Sequence, residues 1–270
     1  MGKNMIRSIA TLALASMLPL SATAQSVDDW KWSATLYGWF PAISGKTSFP
    51  ATGTGPNIDI DADTILDALE FVFMGSLEAQ RGRYGFFTDV VYLDVEGDKS
   101  ATRDVTISRL AIPAGVDLNA TLEIKSWLWT IAGTYGVIAT PEHSMQVLAG
   151  ARLIDLEAKL NWQFNGNIGA LPPFAASGSS TASESFWDAI VGVKGKLSFG
   201  ADRKWFVPYY LDIGTGESSF TWQGIAGIGY DFSWGAVTAA WRYLDYDFKS
   251  GKVVQDLNLS GGAIGVTFRW

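Results

Sequence analysis

Four short segments repeat one pattern, in which two apolar or aromatic residues precede an aspartate. They are Tyr92-Leu93-Asp94, Leu153-Ile154-Asp155, Tyr210-Leu211-Asp212 and Tyr243-Leu244-Asp245. Carboxylates that converge in a fold can line a pore, pair with basic groups or transfer protons. The repeat also indicates growth by duplication of a small structural unit. Which chemistry applies therefore depends on the elements that carry these aspartates.

Catalytic and metal-binding patterns are poorly represented in the chain. It has no cysteine and a single histidine, His143, which lies in the short stretch 140–144. One histidine does not define a triad, and no spacing of acids singles out an acid/base pair. Asp59, Asp61 and Asp63 alternate but lack the glycine and the distal glutamate of a calcium loop, which favours a solvated acidic loop. We therefore expect no catalytic residue, no cofactor and no metal, and an enzyme is the least favoured function.

Apolar and polar residues alternate through most of the chain, which is the period of β-strands. This alternation predicts ten strands, at about 30–44, 70–81, 83–96, 117–139, 145–164, 185–199, 204–213, 219–232, 236–249 and 256–270. The connections alternate strictly between short turns and longer loops. The three longest loops are 45–69, 97–116 and 165–184.

Sorting of loops by parity is typical of a transmembrane β-barrel, which has short periplasmic turns and longer external loops. A soluble sandwich has no need for such sorting. We predict a closed antiparallel transmembrane barrel of about ten strands, with eight or twelve as alternatives and both termini periplasmic. Aromatic residues that cluster near both strand ends favour two membrane interfaces. An aromatic-rich soluble barrel of the lipocalin type is the competing interpretation.

The first 24 residues have the composition of a secretory signal peptide. Lys3 and Arg7 precede an apolar stretch that is too short to span a bilayer, and Ala22-Thr23-Ala24 offers a cleavage site. Residues 25–270 would then form a single barrel domain. Loss of Lys3 and Arg7 from 20 basic residues leaves 18 against 27 acidic ones, a net charge of −9. This balance argues against nucleic acid as a partner.

The chain ends in Phe268-Arg269-Trp270. Together with the signal peptide and the alternating strands, this ending resembles the bacterial outer-membrane β-barrel superfamily. The resemblance implies the cell outer membrane as the location, and outer-membrane lipid and the barrel assembly machinery as partners. Phe268 and Trp270 would form the C-terminal assembly signal. The stretch 37–45, YGWFPAISG, also resembles a motif of a poorly characterised outer-membrane family, which implies no activity.

Strict alternation conflicts with the charges in several strands, because acids and bases of one strand fall on opposite faces. A charge facing lipid near the bilayer centre costs roughly 2–4 kcal/mol for arginine, whereas a β-bulge changes the phase. We therefore predict bulges near 91–93, 125–127, 152–154 and 242–244, with Gly261-Gly262 as a fifth candidate. The alternative is that the upper halves of the strands stand clear of the membrane, where outward charges cost little. With bulges, the lumen would hold Glu78, Asp89, Asp94, Glu123, Lys125, Arg152, Asp155, Lys194, Lys196, Asp212, Arg242 and Asp245.

A lumen with charges of both signs supports two interpretations. A ten-strand barrel is narrow enough for side chains to fill it, which favours a salt-bridged plug with a structural role. A narrow, porin-like hydrophilic pore lined by these charges is the sharper hypothesis. A surface protein that binds through the long loops 45–69, 97–116 and 165–184 is the alternative function.

Overall fold

The computed structural model describes residues 29–47, 57–63, 69–97, 116–166, 174–250 and 254–270. The signal-peptide prediction and most of the long loops lie outside these residues. Within them, no helix is long and apolar enough to cross a membrane.

Eleven strands make up the described structure. They are β1 (Lys31–Thr47), β2 (Asn57–Ile60), β3 (Leu69–Arg81), β4 (Tyr84–Gly97), β5 (Val116–Ala139), β6 (His143–Gly166), β7 (Phe174–Phe199), β8 (Trp205–Gly216), β9 (Ser218–Asp231), β10 (Gly235–Phe248) and β11 (Val254–Arg269). Ten of them correspond to the strands that the alternation predicts. The seventh prediction, 185–199, is too short, because β7 begins at Phe174 and most of the predicted loop 165–184 is strand. The short β2 was not predicted and lies in the first long loop.

The sheet is antiparallel and closes on itself. Neighbouring strands pair in chain order, and β11 pairs with β1 from Ser33↔Arg269 upward. The short β2 pairs with β1 alone and is not one of the ten strands of the barrel wall. The prediction of a closed ten-strand antiparallel barrel is therefore confirmed. We call the end with the tight connections the short-turn end and the opposite end the loop end.

Burial alternates along much of the strands whose side chains the structure describes. In β10, for example, Arg242, Leu244 and Tyr246 are buried, while Trp241 is exposed. Most exposed large side chains on the outer surface are aliphatic or aromatic, including Leu36, Val191, Ile213 and Ile264. This exterior is the inverse of a soluble barrel and suits a hydrocarbon environment.

The bulge predictions are wrong. Pairing runs without a shift through 91–93, 125–127, 152–154 and 242–244, and also through Gly261 and Gly262. The register shifts lie nearer strand ends instead, at Lys46/Thr47, Leu69/Phe71, Gly136/Ile138 and Asp247/Phe248. A Cβ at Gly261 would collide with the Phe40 carbonyl, so this glycine allows close approach of β11 to β1.

The wall of the barrel has two heights. Strands β5, β6 and β7 have 24, 24 and 26 residues, whereas β8, β9 and β10 have 12, 14 and 14. Most of the extra residues lie at the loop end, and Gly136–Ala139 of β5 extend past β4 at the short-turn end. Residues 116–121 of β5 and residues 174–187 of β7 therefore stand beyond the paired parts of β4 and β8. The alternative to bulges, in which the upper halves of the strands stand clear of the membrane, stays a prediction.

Candidate functional site: the filled lumen

The lumen is filled by side chains in three layers. The layer nearest the short-turn end is charged and partly open. There Lys194 of β7 pairs with Glu78 of β3, and Asp231 accepts from Lys196 Nζ and Arg269 Nη1, each at 2.7 Å. The ammonium of Lys194 also lies 4.0 Å from the ring centre of Phe87. Each of these charges thus has a partner of opposite sign.

The middle layer is centred on Arg242 of β10, which reaches across the barrel. Its Nη2 donates to Asp89 Oδ1 of β4 at 2.9 Å, and its Nη1 donates to the Tyr37 hydroxyl of β1 at 2.7 Å. Nε and Nη2 both donate to Gln223 Oε1 of β9. The Tyr37 hydroxyl in turn donates to Asp89 Oδ2 at 2.7 Å. Four strands are therefore joined through one guanidinium, and Arg242 is only 2% exposed.

A second buried arginine, Arg152 of β6, lies at a similar height. It pairs with Asp212 of β8, and its Nε donates to Thr130 Oγ1 at 3.3 Å. This cluster is less complete than that of Arg242, because Arg152 Nη1 and Asp212 Oδ1 have no hydrogen-bond partner. Asp188 stands directly opposite Arg152 in the pairing of β6 with β7. Its Oδ1 accepts from the Ser218 amide at 2.9 Å, and its Oδ2 has no partner.

The layer nearest the loop end is apolar. Its buried members come from eight strands and pack against one another; they are Trp39, Met74, Val91, Leu93, Leu128, Ile154, Phe186, Leu244, Tyr246, Phe248, Leu257 and Leu259. Phe186 and Leu244 have no exposed surface. These side chains close the lumen above the two arginines with close-packed apolar groups.

Seven of the twelve predicted lumen residues have side chains inside the barrel. They are Glu78, Asp89, Arg152, Lys194, Lys196, Asp212 and Arg242, and each contacts another of them or a further inward group. They form three separate groups, at the short-turn end, around Arg242 and around Arg152. The prediction did not include Asp188 or Asp231, although strict alternation would have found both.

The prediction is wrong for Asp94, Lys125, Asp155 and Asp245, which lie on the outer face. Lys125 lies on the same face of β5 as the exposed Trp127, and it pairs with Asp94 at 3.1 Å. Asp155 stands opposite Trp127 in register. Uninterrupted alternation explains this, because Val91, Leu128, Ile154 and Leu244 occupy the inward positions of these strands. Glu123 belongs to β5, but its side chain lies outside the described residues.

Two of the outward aspartates accept from tyrosines two residues earlier on the same face. The Tyr92 hydroxyl donates to Asp94 at 3.2 Å, and the Tyr243 hydroxyl donates to Asp245 at 3.3 Å. The tyrosines belong to an aromatic group on the outer face that also includes Trp127 and Trp222. Tyrosine and tryptophan favour the membrane–water interface. The carboxylates therefore lie at the upper edge of this aromatic belt.

The C-terminal residues lie at the short-turn end of the outer face. The Trp270 amide donates to the Trp32 carbonyl at 3.1 Å, and the Trp32 amide donates back at 2.9 Å. The side chains of Phe268 and Trp270 are exposed, and Trp234 lies against Phe268. This placement suits an interfacial belt, while recognition of the two residues by assembly machinery remains a prediction.

His143 lies at the short-turn end, far from the loop-end belt. Its Nε2 lies 2.9 Å from the hydroxyl of Tyr209, whose ring crosses the outer side of Gly195. Across the described ranges, no three histidine, aspartate or glutamate side chains are grouped closely enough to hold a metal ion.

The structure is similar to solved outer-membrane proteins over most of its length. The outer membrane protease OmpT from Escherichia coli matches with a TM-score of 0.53 at 8% identity, covering 92% of this chain and 99% of that chain. Ail of Yersinia pestis matches with a TM-score of 0.32 at 8% identity, covering 90% and 99%. No family model and no curated protein matches this chain. The OmpT match shows a shared fold, the closed antiparallel β-barrel.

Proposed function

We propose that this protein is a non-conducting outer-membrane barrel whose filled lumen gives it a structural role. The observation that carries the proposal is the burial of Arg152 and Arg242, which are 0% and 2% exposed. Each arginine pairs with a carboxylate from another strand, and both ion pairs lie beneath a packed apolar layer. Ions and solutes would have to displace both the ion pairs and that layer.

The proposed orientation follows the usual asymmetry of such barrels, with short turns and both termini in the periplasm. The aromatic exterior makes membrane lipid the surrounding partner. Phe268 and Trp270 would be the signal that the barrel assembly machinery reads. No catalytic role is proposed, since His143 lies at the short-turn rim with Tyr209 as its neighbour.

Conductance in planar lipid bilayers tests the structural role against the narrow pore. The purified barrel is expected to insert without discrete current steps, under conditions in which a general porin conducts. Steps that disappear in the double variant Lys194→Glu and Lys196→Glu would show a pore lined by the lower charged layer. The matched control is Arg81→Glu with Arg83→Glu, which changes the same charge at the turn between β3 and β4.

A second candidate function, binding at the cell surface, is favoured by the height of β5–β7. Residues 174–187 of β7 lie past its pairing with β8, and residues 116–121 of β5 lie past its pairing with β4. At about 3.3 Å per residue of tilted strand, these segments extend roughly 15–35 Å past the neighbouring wall. We propose that this projection would present the adjoining loops to a partner. Replacement of residues 161–179 by a two-residue turn should leave the barrel folded, because Leu160 and Ser180 are paired. Loss of cell attachment in this variant would support binding, and unchanged attachment would contradict it.

A further inference from the structure

The pairing of β1 with its two neighbours is unequal. On one side β1 pairs with β11 without a break from Ser33 to Lys46. On the other side it pairs with β3 only from Lys31 to Leu36, where Leu36 faces Gly75. Pairing on this side resumes at Ile43, which faces Ile60 of β2. We call the interval between residues 37–42 of β1 and residues 69–74 of β3 the lateral window.

The residues of β1 at the window suit a strand edge without a partner. Amide and carbonyl groups of successive strand residues point to opposite sides, and Trp32 bonds to Trp270 of β11. The amide and carbonyl groups of the odd-numbered residues of β1 therefore point toward β3. The Trp39 amide donates to the Met74 thioether at 3.0 Å instead of a carbonyl. Pro41 has no amide hydrogen to leave unpaired at this edge. The stretch 37–45, YGWFPAISG, thus contains one margin of the window.

The window opens on apolar groups at both surfaces. Inside, Trp39 and Met74 are members of the apolar layer of the lumen, continuous with Val91 and Leu257. Outside, the large side chains next to the window are exposed; they are Leu36, Phe40 and Phe73. A continuous apolar surface therefore runs from the outer face to the upper lumen.

The window lies at the height of the loop-end aromatic belt. Phe73 faces Tyr92 across β3 and β4, and Ala42 faces Ser260, which in turn faces Tyr243 of β10. The outer side of the window therefore faces the membrane–water interface, where hydrocarbon chains meet polar headgroups. Unpaired strand edges are otherwise avoided at membrane depth, because backbone polar groups lack water there.

We propose that the lateral window admits the hydrocarbon chain of a membrane lipid into the apolar layer of the lumen, with Met74 as the side chain that moves aside. Methionine is unbranched and flexible, and it readily repacks around an apolar ligand. The exchange keeps the upper lumen apolar. It therefore requires no water-filled path through the barrel and holds whether or not the barrel conducts.

Photolabelling in lipid vesicles tests this inference on the intact barrel. The probe is a phospholipid with a diazirine in the acyl chain, and the labelled residues are mapped by mass spectrometry. Lipid around the barrel labels outward residues such as Phe40 and Phe73 in any case. The proposal expects additional labelling of Met74, Val91 and Leu93, which face the lumen. Labelling confined to outward residues would overturn it.

Two substitutions at Met74 sharpen the result. Met74→Trp fills the window and should reduce labelling of Val91 and Leu93 to background, while Met74→Ala shortens the moving side chain and should increase it. The control is Leu211→Trp, an outward change on β8 that should alter neither residue. If Met74→Trp fails to show the heat-modifiable mobility of a folded barrel, the Met74→Ala result decides. Inward labelling that is the same in wild type and Met74→Ala would contradict the assigned role of Met74.

Discussion

Tyr210-Leu211-Asp212 and Tyr243-Leu244-Asp245 are the same tripeptide on opposite faces of one wall. In β8 the tyrosine and aspartate point into the lumen, where Asp212 pairs with Arg152, and Leu211 faces outward. In β10 Leu244 is buried in the lumen, and the Tyr243 hydroxyl donates to Asp245 on the outer face. Sequence pattern alone therefore does not set the role of these aspartates. The phase of each strand relative to the barrel decides it.

The largest expected difference between the two copies is at the aspartate. Asp212→Ala leaves the Arg152 guanidinium buried without its carboxylate, which typically costs about 3–5 kcal/mol. Asp245→Ala removes an outward carboxylate together with its hydrogen bonds to Tyr243 and Asn258, and should cost about 1 kcal/mol. Reversible urea unfolding in lipid vesicles, followed by tryptophan fluorescence, measures both. Equal losses for the two variants would show that phase is not what separates the copies.

A second contrast concerns the leucine. Leu211→Arg places a charge on the lipid-facing side of β8 and should destabilise the barrel by roughly 2–4 kcal/mol if the residue lies near the bilayer midplane. The control is Leu211→Ala, which removes apolar surface from the same site without adding a charge. The same unfolding assay applies. A cost for Leu211→Arg no greater than that of Leu211→Ala would mean that this stretch of β8 lies outside the hydrocarbon.

The smallest difference is expected at the tyrosine of the outward copy. Tyr243→Phe removes the hydroxyl that donates to Asp245, and a single net hydrogen bond contributes about 0.5–1.5 kcal/mol. Because Asn258 Nδ2 still donates to Asp245 at 3.0 Å, the low end of that range is expected. A double-mutant cycle with Asp245→Asn isolates the pair. A coupling free energy of zero would leave the aromatic ring, not the hydroxyl, as the contribution of Tyr243.

The sequence predicts the barrel well because alternation, turn length and aromatic belts are local properties. It fails for Asp94, Lys125, Asp155 and Asp245 because local patterns do not say where the membrane ends along a strand. If those residues lay in hydrocarbon, a bulge would be the cheaper solution. They lie instead at the upper edge of the aromatic belt, and alternation continues through them.

The sequence also does not reveal which charges meet. Arg242 and Asp89 are far apart in the chain, and nothing in their neighbours indicates that they pair across the lumen. Pro41 is the one residue of the sequence that hints at the lateral window. A proline in a strand indicates an unpaired edge only when the strand on that side is known. Pro41 therefore indicates the window only once the register between strands is known, and register depends on residues far apart in the chain.

The seam between β1 and β11 has a consequence for how the barrel forms. Thr35 and Thr267 meet through their hydroxyl oxygens at 2.8 Å although 232 positions separate them in the chain. Contacts of such sequence separation carry a large loop-closure entropy and slow the folding of β proteins. The other strands pair mainly with the next strand in the chain, so hairpins can form in order. By contrast, β1 cannot pair with β11 until the last strand is in place. We expect the closing of this seam to be the rate-limiting event of folding, and substitutions there to change the folding rate more than those in β6 or β7.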